Sequence, residues 1–114
     1  MQQKEEIVAG LLQEFRRGTI VLTVLCQLSK PYYGYSLIQQ LSKNSVPIEA
    51  NTLYPLLRRL ETQGLLKSEW ETSAAKPRKY YKLTDLGVEV YQELKLEWNK
   101  MVDNMMQLLK EDAL

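Results

Sequence analysis

NTLYPLLRRLETQGLL, residues 51–66, is the stretch whose reading decides the fold. Leu53, Leu56, Leu57 and Leu60 recur at steps of three and four, which makes one face of a helix from about residue 49 to residue 63 apolar. Arg58, Arg59 and Glu61 fall outside that face. Gly64 stands where a helix end favours a left-handed residue. Pro55 removes one helical hydrogen bond, yet the leucine spacing continues on both sides of it, so the helix is expected to run through. Downstream, residues 65–70 and 78–83 alternate as strands do and are joined by residues 71–77, which predicts a hairpin with a long loop. Thr84 suits an N-cap and Asp85 a first helical turn, opening a last helix of about 28 residues.

Upstream, Tyr33-Gly34-Tyr35 opens a helical pattern with Leu37, Ile38 and Leu41, closed by the turn formers Lys43-Asn44-Ser45 and Pro47. Ile7, Val8, Leu11, Leu12 and Phe15 form one stripe of a short amphipathic helix. Residues 19–28 (TIVLTVLCQL) are ambiguous: the β-branched content suits a strand, the ten-residue apolar run a buried helix. Lys30-Pro31 closes the run, because a residue before proline avoids the helical region. The order is helix, helix, helix, helix, hairpin, long helix, without internal repeats. Two angled helices, the second followed by a basic hairpin, make a winged helix-turn-helix. The fold class is therefore mainly α with a small β-hairpin. Residues 1–83 form the winged-helix part and residues 84–114 a C-terminal dimerisation helix, together one compact unit.

Composition narrows the function. The 114 residues are 45% hydrophobic and 25% charged, ordinary for a globular domain. There is no histidine, and Cys26 is the only cysteine. His-based triads, Cys/His zinc sites, paired-cysteine redox chemistry and an intrachain disulfide are thereby excluded. No enzyme, metal or cofactor is expected. A reducing, cytoplasmic setting is, because one cysteine gives no intrachain disulfide; no run approaches about 18 apolar residues, and the N-terminus is too acidic for a signal peptide.

The formal net charge of +1 conceals a distribution. Residues 1–15 carry −2, residues 16–83 carry +7, and residues 84–114 carry −4. A basic middle between acidic ends fits one face meeting a polyanion; chance clustering on a solvated surface is the plain alternative. In a winged helix the last helix before the hairpin enters the DNA major groove, and the hairpin reaches the backbone or minor groove. Asn51 and Thr52 can hydrogen-bond base edges or phosphates, and Tyr54 a phosphate. Arg58 and Arg59 offer guanidinium forks to guanine or phosphate oxygens. Lys76, Arg78 and Lys79 lie close together in the wing, where phosphate contacts give affinity and register. Each has a plainer reading. Asn51 could cap its helix and Tyr54 could be core. Arg58 and Arg59 could be solvated, or paired with Glu61 and Glu69. Of Tyr80 and Tyr81, one packs inward by alternation.

These motifs carry a resemblance. The Leu-Tyr-Pro within residues 51–66, RKYYKLTDLG at residues 78–87 and YGYSLIQQL at residues 33–41 resemble the PadR family of bacterial transcriptional regulators, over residues 16–109. The chain's size and single C-terminal helix resemble the short, multidrug-responsive members. The resemblance implies that residues 19–28 are helical. It also implies a homodimeric repressor on a double-stranded, pseudo-palindromic DNA operator, controlling a gene such as a multidrug efflux pump, with the last helix crossing its partner's N-terminal region.

The last helix, read on its own terms, carries two adjacent apolar stripes wider than a small domain needs, including Met101, Met105 and Met106. In the short family members a tryptophan from each subunit flanks a flat ligand at the dimer centre. The resemblance gives Trp98 that role, stacking a planar hydrophobic effector, with Tyr91, Leu94, Val102, Ile20 and Phe15 lining the space. Trp98 filling the dimer core is the alternative, because an interface aromatic needs no ligand. A winged helix used only for protein–protein contact is the other class left open, and the basic wing argues against it.

Overall fold

The fold comes from a computed structural model, which describes residues 2–73 and 75–114. Helix α1 (Gln2–Gln27) leads through the two-residue strand β1 (Tyr32–Tyr33) into α2 (Gly34–Lys43) and α3 (Ala50–Thr62). Strands β2 (Leu66–Glu71) and β3 (Arg78–Leu83) form the wing, and α4 (Asp85–Lys110) follows.

One expectation is corrected and another, the hairpin, is borne out and extended. The N-terminal region is one continuous helix, so three helices precede the wing instead of four. Its β-branched run stays helical because Val24, Leu25 and Leu28 pack into the core from one face, with Ile20 and Val21 beside them, while Thr19 Oγ1 and Thr23 Oγ1 satisfy themselves on the carbonyls of Phe15 and Thr19, at 3.2 and 3.0 Å. The hairpin is also part of a three-stranded antiparallel sheet in the order β1-β3-β2, with Tyr32 opposite Tyr81 and Tyr33 opposite Tyr80. A two-residue strand is too short to show alternation, so it left no periodic signal.

The caps that the sequence pointed to are in place. Gly64 has φ +82°, the Leu65 amide donates to the Leu60 carbonyl at 3.0 Å and the Gly64 amide to that of Glu61 at 3.0 Å, a Schellman ending for α3. Thr84 Oγ1 accepts from the Gly87 amide at 2.9 Å and donates to the Gly64 carbonyl at 2.6 Å, tying the start of α4 to the end of α3. Helix α2 ends by the same geometry with a residue less suited to it. The Val46 amide donates to the Leu41 carbonyl at 2.8 Å, and Ser45 occupies the left-handed position at φ +64°. A side chain there costs about 1 kcal/mol that glycine avoids, partly offset by glycine's freer unfolded chain. Ser45→Gly is therefore expected to raise the unfolding free energy by about 0.5 kcal/mol and the melting temperature by a few degrees. An unchanged or lower melting temperature would show that the turn is not strained.

The core joins Val24, Leu25 and Leu28 of α1 to Leu37 and Leu41 of α2, the four leucines of α3, Leu66 and Tyr81. Tyr81 is the inward member of its pair, at 4% exposure. Helix α4 adds only Gly87 to the fully buried set and Tyr91 to its edge. The Cα radius of gyration is 17.1 Å, against about 13 Å for a compact chain of this length. The excess comes from two long helices whose outer halves leave the core.

Candidate nucleic-acid interface

Helix α3 turns its four core leucines inward and so holds a polar sector outward. At 100° per residue, Asn51, Thr52, Arg58 and Arg59 fall within about 120° of arc opposite those leucines. All four are exposed. The N-cap is Glu49, which makes no side-chain capping bond, so Asn51 is free of that duty. Tyr54 lies on one flank of the sector, half-buried against the core. Its ring occupies the space where Gly34 lacks a side chain: a Cβ there would stand 2.6 Å from Tyr54 Cε1. The core reading of Tyr54 therefore describes its ring, while its hydroxyl sits beside the start of α2.

The wing sorts its charges by face, since successive strand residues point to opposite sides. Arg78 is on the outer face, its guanidinium 4.4 Å from the centre of the Tyr33 ring, which meets Tyr80 edge-on at 6.0 Å. Lys79 is on the inner face toward α3, 4.0 Å from Glu61 and 6.0 Å from the centre of the Trp70 ring. Lys76 is exposed in the connecting loop. Arg78 and Lys79 thus leave β3 on opposite faces, with different nearest aromatic rings.

The acids nearby are engaged by lysines and hydroxyls. Glu61 accepts from Ser68 Oγ at 2.5 Å as well as facing Lys79. Glu69 accepts from the Tyr80 hydroxyl at 2.6 Å and pairs with Lys82 at 3.2 Å. The Tyr80 hydrogen bond, followed by Lys82, holds the Glu69 carboxyl below its ordinary value. The same carboxylate pushes the Tyr80 phenol up. The alternative pairing of Arg58 and Arg59 with Glu61 and Glu69 does not form. Among the described residues no ion pair holds Arg58, Arg59, Lys76 or Arg78.

Between the first turn of α2, Tyr54 and the wing lies an open cleft of about 480 Å³. Tyr33, Tyr35, Ser36 and Trp70 line it together with Arg78 and Lys79. Tyr35, Ser36 and Trp70 were not singled out in the sequence. The available signal was the interleaving of aromatics with cations, and Trp70 is 62% exposed on a strand. Cations over aromatic faces form a surface whose chemistry suits phosphate, and the polar sector of α3 adds exposed hydrogen-bonding groups beside it.

The residues expected around an effector are spread along α1 and α4. Ile20 and Tyr91 pack against the core, where a hydrogen bond with the Cys26 thiol pushes the Tyr91 phenol up. Leu94 and Trp98 are a little over a third exposed, and Phe15 is 69% exposed. Trp98 and Val102 line an apolar hollow of about 220 Å³ with Met101, Met105 and Met106. The other four expected residues do not share that hollow within one chain. Among the described residues, no helix is long and apolar enough to cross a membrane.

Comparison with known proteins gives concordant matches. The model of the transcriptional regulator PadR-like family matches residues 21–93. A PadR family transcriptional regulator from Eggerthella lenta is 48% identical, with a TM-score of 0.93 over 98% of this chain and 100% of that one. A PadR-like transcription factor from Bacteroides fragilis is 34% identical, with a TM-score of 0.73 over 87% of this chain and 98% of that one. A transcriptional regulator of Mycobacterium tuberculosis is 35% identical over 77 residues, 67% of this chain and 72% of the relative.

Proposed function

Because the chain belongs to the PadR-like family of transcriptional regulators, which are not enzymes, we propose that it is a cytoplasmic, homodimeric repressor that binds a pseudo-palindromic operator. The observation that carries the reading is the outward sector of α3. It holds Asn51, Thr52, Arg58 and Arg59 exposed, with neither guanidinium group in an ion pair among the described residues, and Arg78 of the wing shares a cleft with Tyr54 on its flank. In this reading α3 enters the major groove, and Tyr54 and the wing hold the flanking phosphates.

A second copy accounts for the apolar surface that one chain leaves in water. Ile7, Val8, Leu11, Leu12 and Phe15 of α1, and Trp98, Met101 and Met105 of α4, are all at least 38% exposed. Such a surface is far more than scattered apolar residues and calls for a partner. Two-fold symmetry then sets the two recognition helices about 34 Å apart, one turn of DNA. The effector is a planar hydrophobic compound stacked between Trp98 and its symmetry mate, in a space bounded by Tyr91, Leu94, Val102 and Phe15, while Ile20 turns instead toward the core and the start of α3. Binding that favours a dimer spacing unsuited to DNA releases the operator. The regulated gene is then one that exports such compounds.

The test is a fluorescence-anisotropy titration of duplex DNA from the intergenic region upstream of the gene, across a salt series. Wild-type affinity should fall steeply with salt, and Arg58→Ala should weaken it about tenfold. Affinity flat in salt and indifferent to Arg58→Ala would favour the protein–protein module. In the same assay a planar hydrophobic dye should release the duplex and quench tryptophan emission. Trp98→Ala should lose most of that quenching while Trp70 still reports. Equal quenching in both proteins would end the stacking idea.

A further inference from the structure

Helix α1 carries two separate stripes. Val8, Leu11, Leu12 and Phe15 repeat as i, i+3, i+4, i+7, and five residues later Gln13, Arg16, Arg17 and Ile20 repeat the same interval. Five helical steps turn the second stripe about 140° from the first. The second stripe faces the start of α3: Gln13, Arg16, Arg17 and Ile20 line a shallow cleft of about 300 Å³ together with Glu49 and Thr52. Thr52 and Tyr54 are two helical steps apart, about 200° around α3. Because Tyr54 borders the cleft beside the wing, the α1 cleft flanks α3 on the opposite side.

Both arginines are exposed. Among the described residues neither closes an ion pair, although Glu49 borders the same cleft. Two free guanidinium groups held beside the base-reading end of α3 present forks suited to phosphate oxygens. We propose that Arg16 and Arg17 form a second basic arm that grips the DNA backbone on the side of α3 away from the wing. The proposal rests on the DNA-binding reading above. The two arms differ in kind: the wing is a hairpin, whereas the α1 arm is set on a continuous helix.

The test uses the intact protein, the intergenic duplex and a duplex of unrelated mixed sequence. Two lost phosphate contacts should reduce the slope of log affinity against log salt by about 1.8. The affinity advantage of wild type over Arg16→Gln/Arg17→Gln should therefore shrink about twelvefold between 50 and 200 mM salt, alike on both duplexes. Arg16→Lys/Arg17→Lys should restore most of the slope, and Lys110→Gln should leave it unchanged. Circular dichroism and sedimentation should show helix content and association state unaltered. An unchanged slope in the double glutamine variant, with Arg58→Ala still weakening binding, would overturn the arm and leave the DNA reading standing. Loss of self-association in that variant would overturn it too, by assigning the arginines to a partner chain. Absence of salt-dependent binding in the wild type would instead fell the DNA reading itself.

Discussion

Gly87→Ala is expected to lower the unfolding free energy by about 3 kcal/mol and the melting temperature by roughly 10 °C or more. A Cβ on Gly87 would stand 2.1 Å from the Leu65 carbonyl oxygen and 3.0 Å from its carbon. Those atoms are backbone and cannot rotate aside as a side-chain tip would. The same oxygen accepts from the Thr84 amide at 3.1 Å, and the Gly87 amide donates to Thr84 Oγ1, so moving either segment strains the cap of α4. The only relief is to lift α4 from the end of α3, which opens the junction between the wing and the long helix. Gly10→Ala provides the contrast. A Cβ there meets nothing within 4 Å, and alanine is the better helix former, so a gain of about 0.5 kcal/mol is expected. Thermal melts of the two variants decide the matter. A Gly87→Ala protein melting within a degree or two of wild type would show that the junction is soft.

Leu11→Asp/Phe15→Asp is expected to leave the monomer folded and to abolish the dimer. Both side chains are exposed in the single chain, at 50% and 69%, so charging them removes no core contact. In the proposed dimer both are covered, and each carboxylate would be desolvated without a partner, at several kcal/mol apiece. A loss of about 4 kcal/mol already weakens association by about a thousandfold. Sedimentation equilibrium should then report monomers at micromolar concentration. Binding to the intergenic duplex should fall to that of a single half-site, while the salt slope per chain persists. A variant that remains dimeric would place the self-association surface elsewhere, and the account of Trp98 at a dimer centre would fall with it.

The contrast between these two sites shows how far the sequence could be read. Helix α3, its glycine ending, the Thr84 cap and the alternating strands were legible because each is written within a few residues. The outward sector of α3 was legible for the same reason, since fixing the leucines inward fixes Arg58 and Arg59 outward. The unity of α1 was not. Its apolar stripe changes direction near Gly18 because the first half of the helix leaves the core while the second half packs into it through Val24, Leu25 and Leu28. A change of surroundings along one helix reads in sequence as a break between two.

The sequence by itself determined α3, the two wing strands, the last helix, the caps at Gly64 and Thr84, the family and the basic middle of the chain, because these depend on local spacing and on residue chemistry. Only the tertiary structure decided which groups meet. It joined two tyrosines to β3 across more than forty residues, gave Glu61 and Glu69 to lysines instead of arginines, and brought Arg78 and Lys79 to one aromatic-lined cleft. It also set Arg16 and Arg17 beside Thr52, and pressed Gly87 against a backbone oxygen. Contacts of this kind depend on how packed elements bring distant residues together, and no short-range pattern records that.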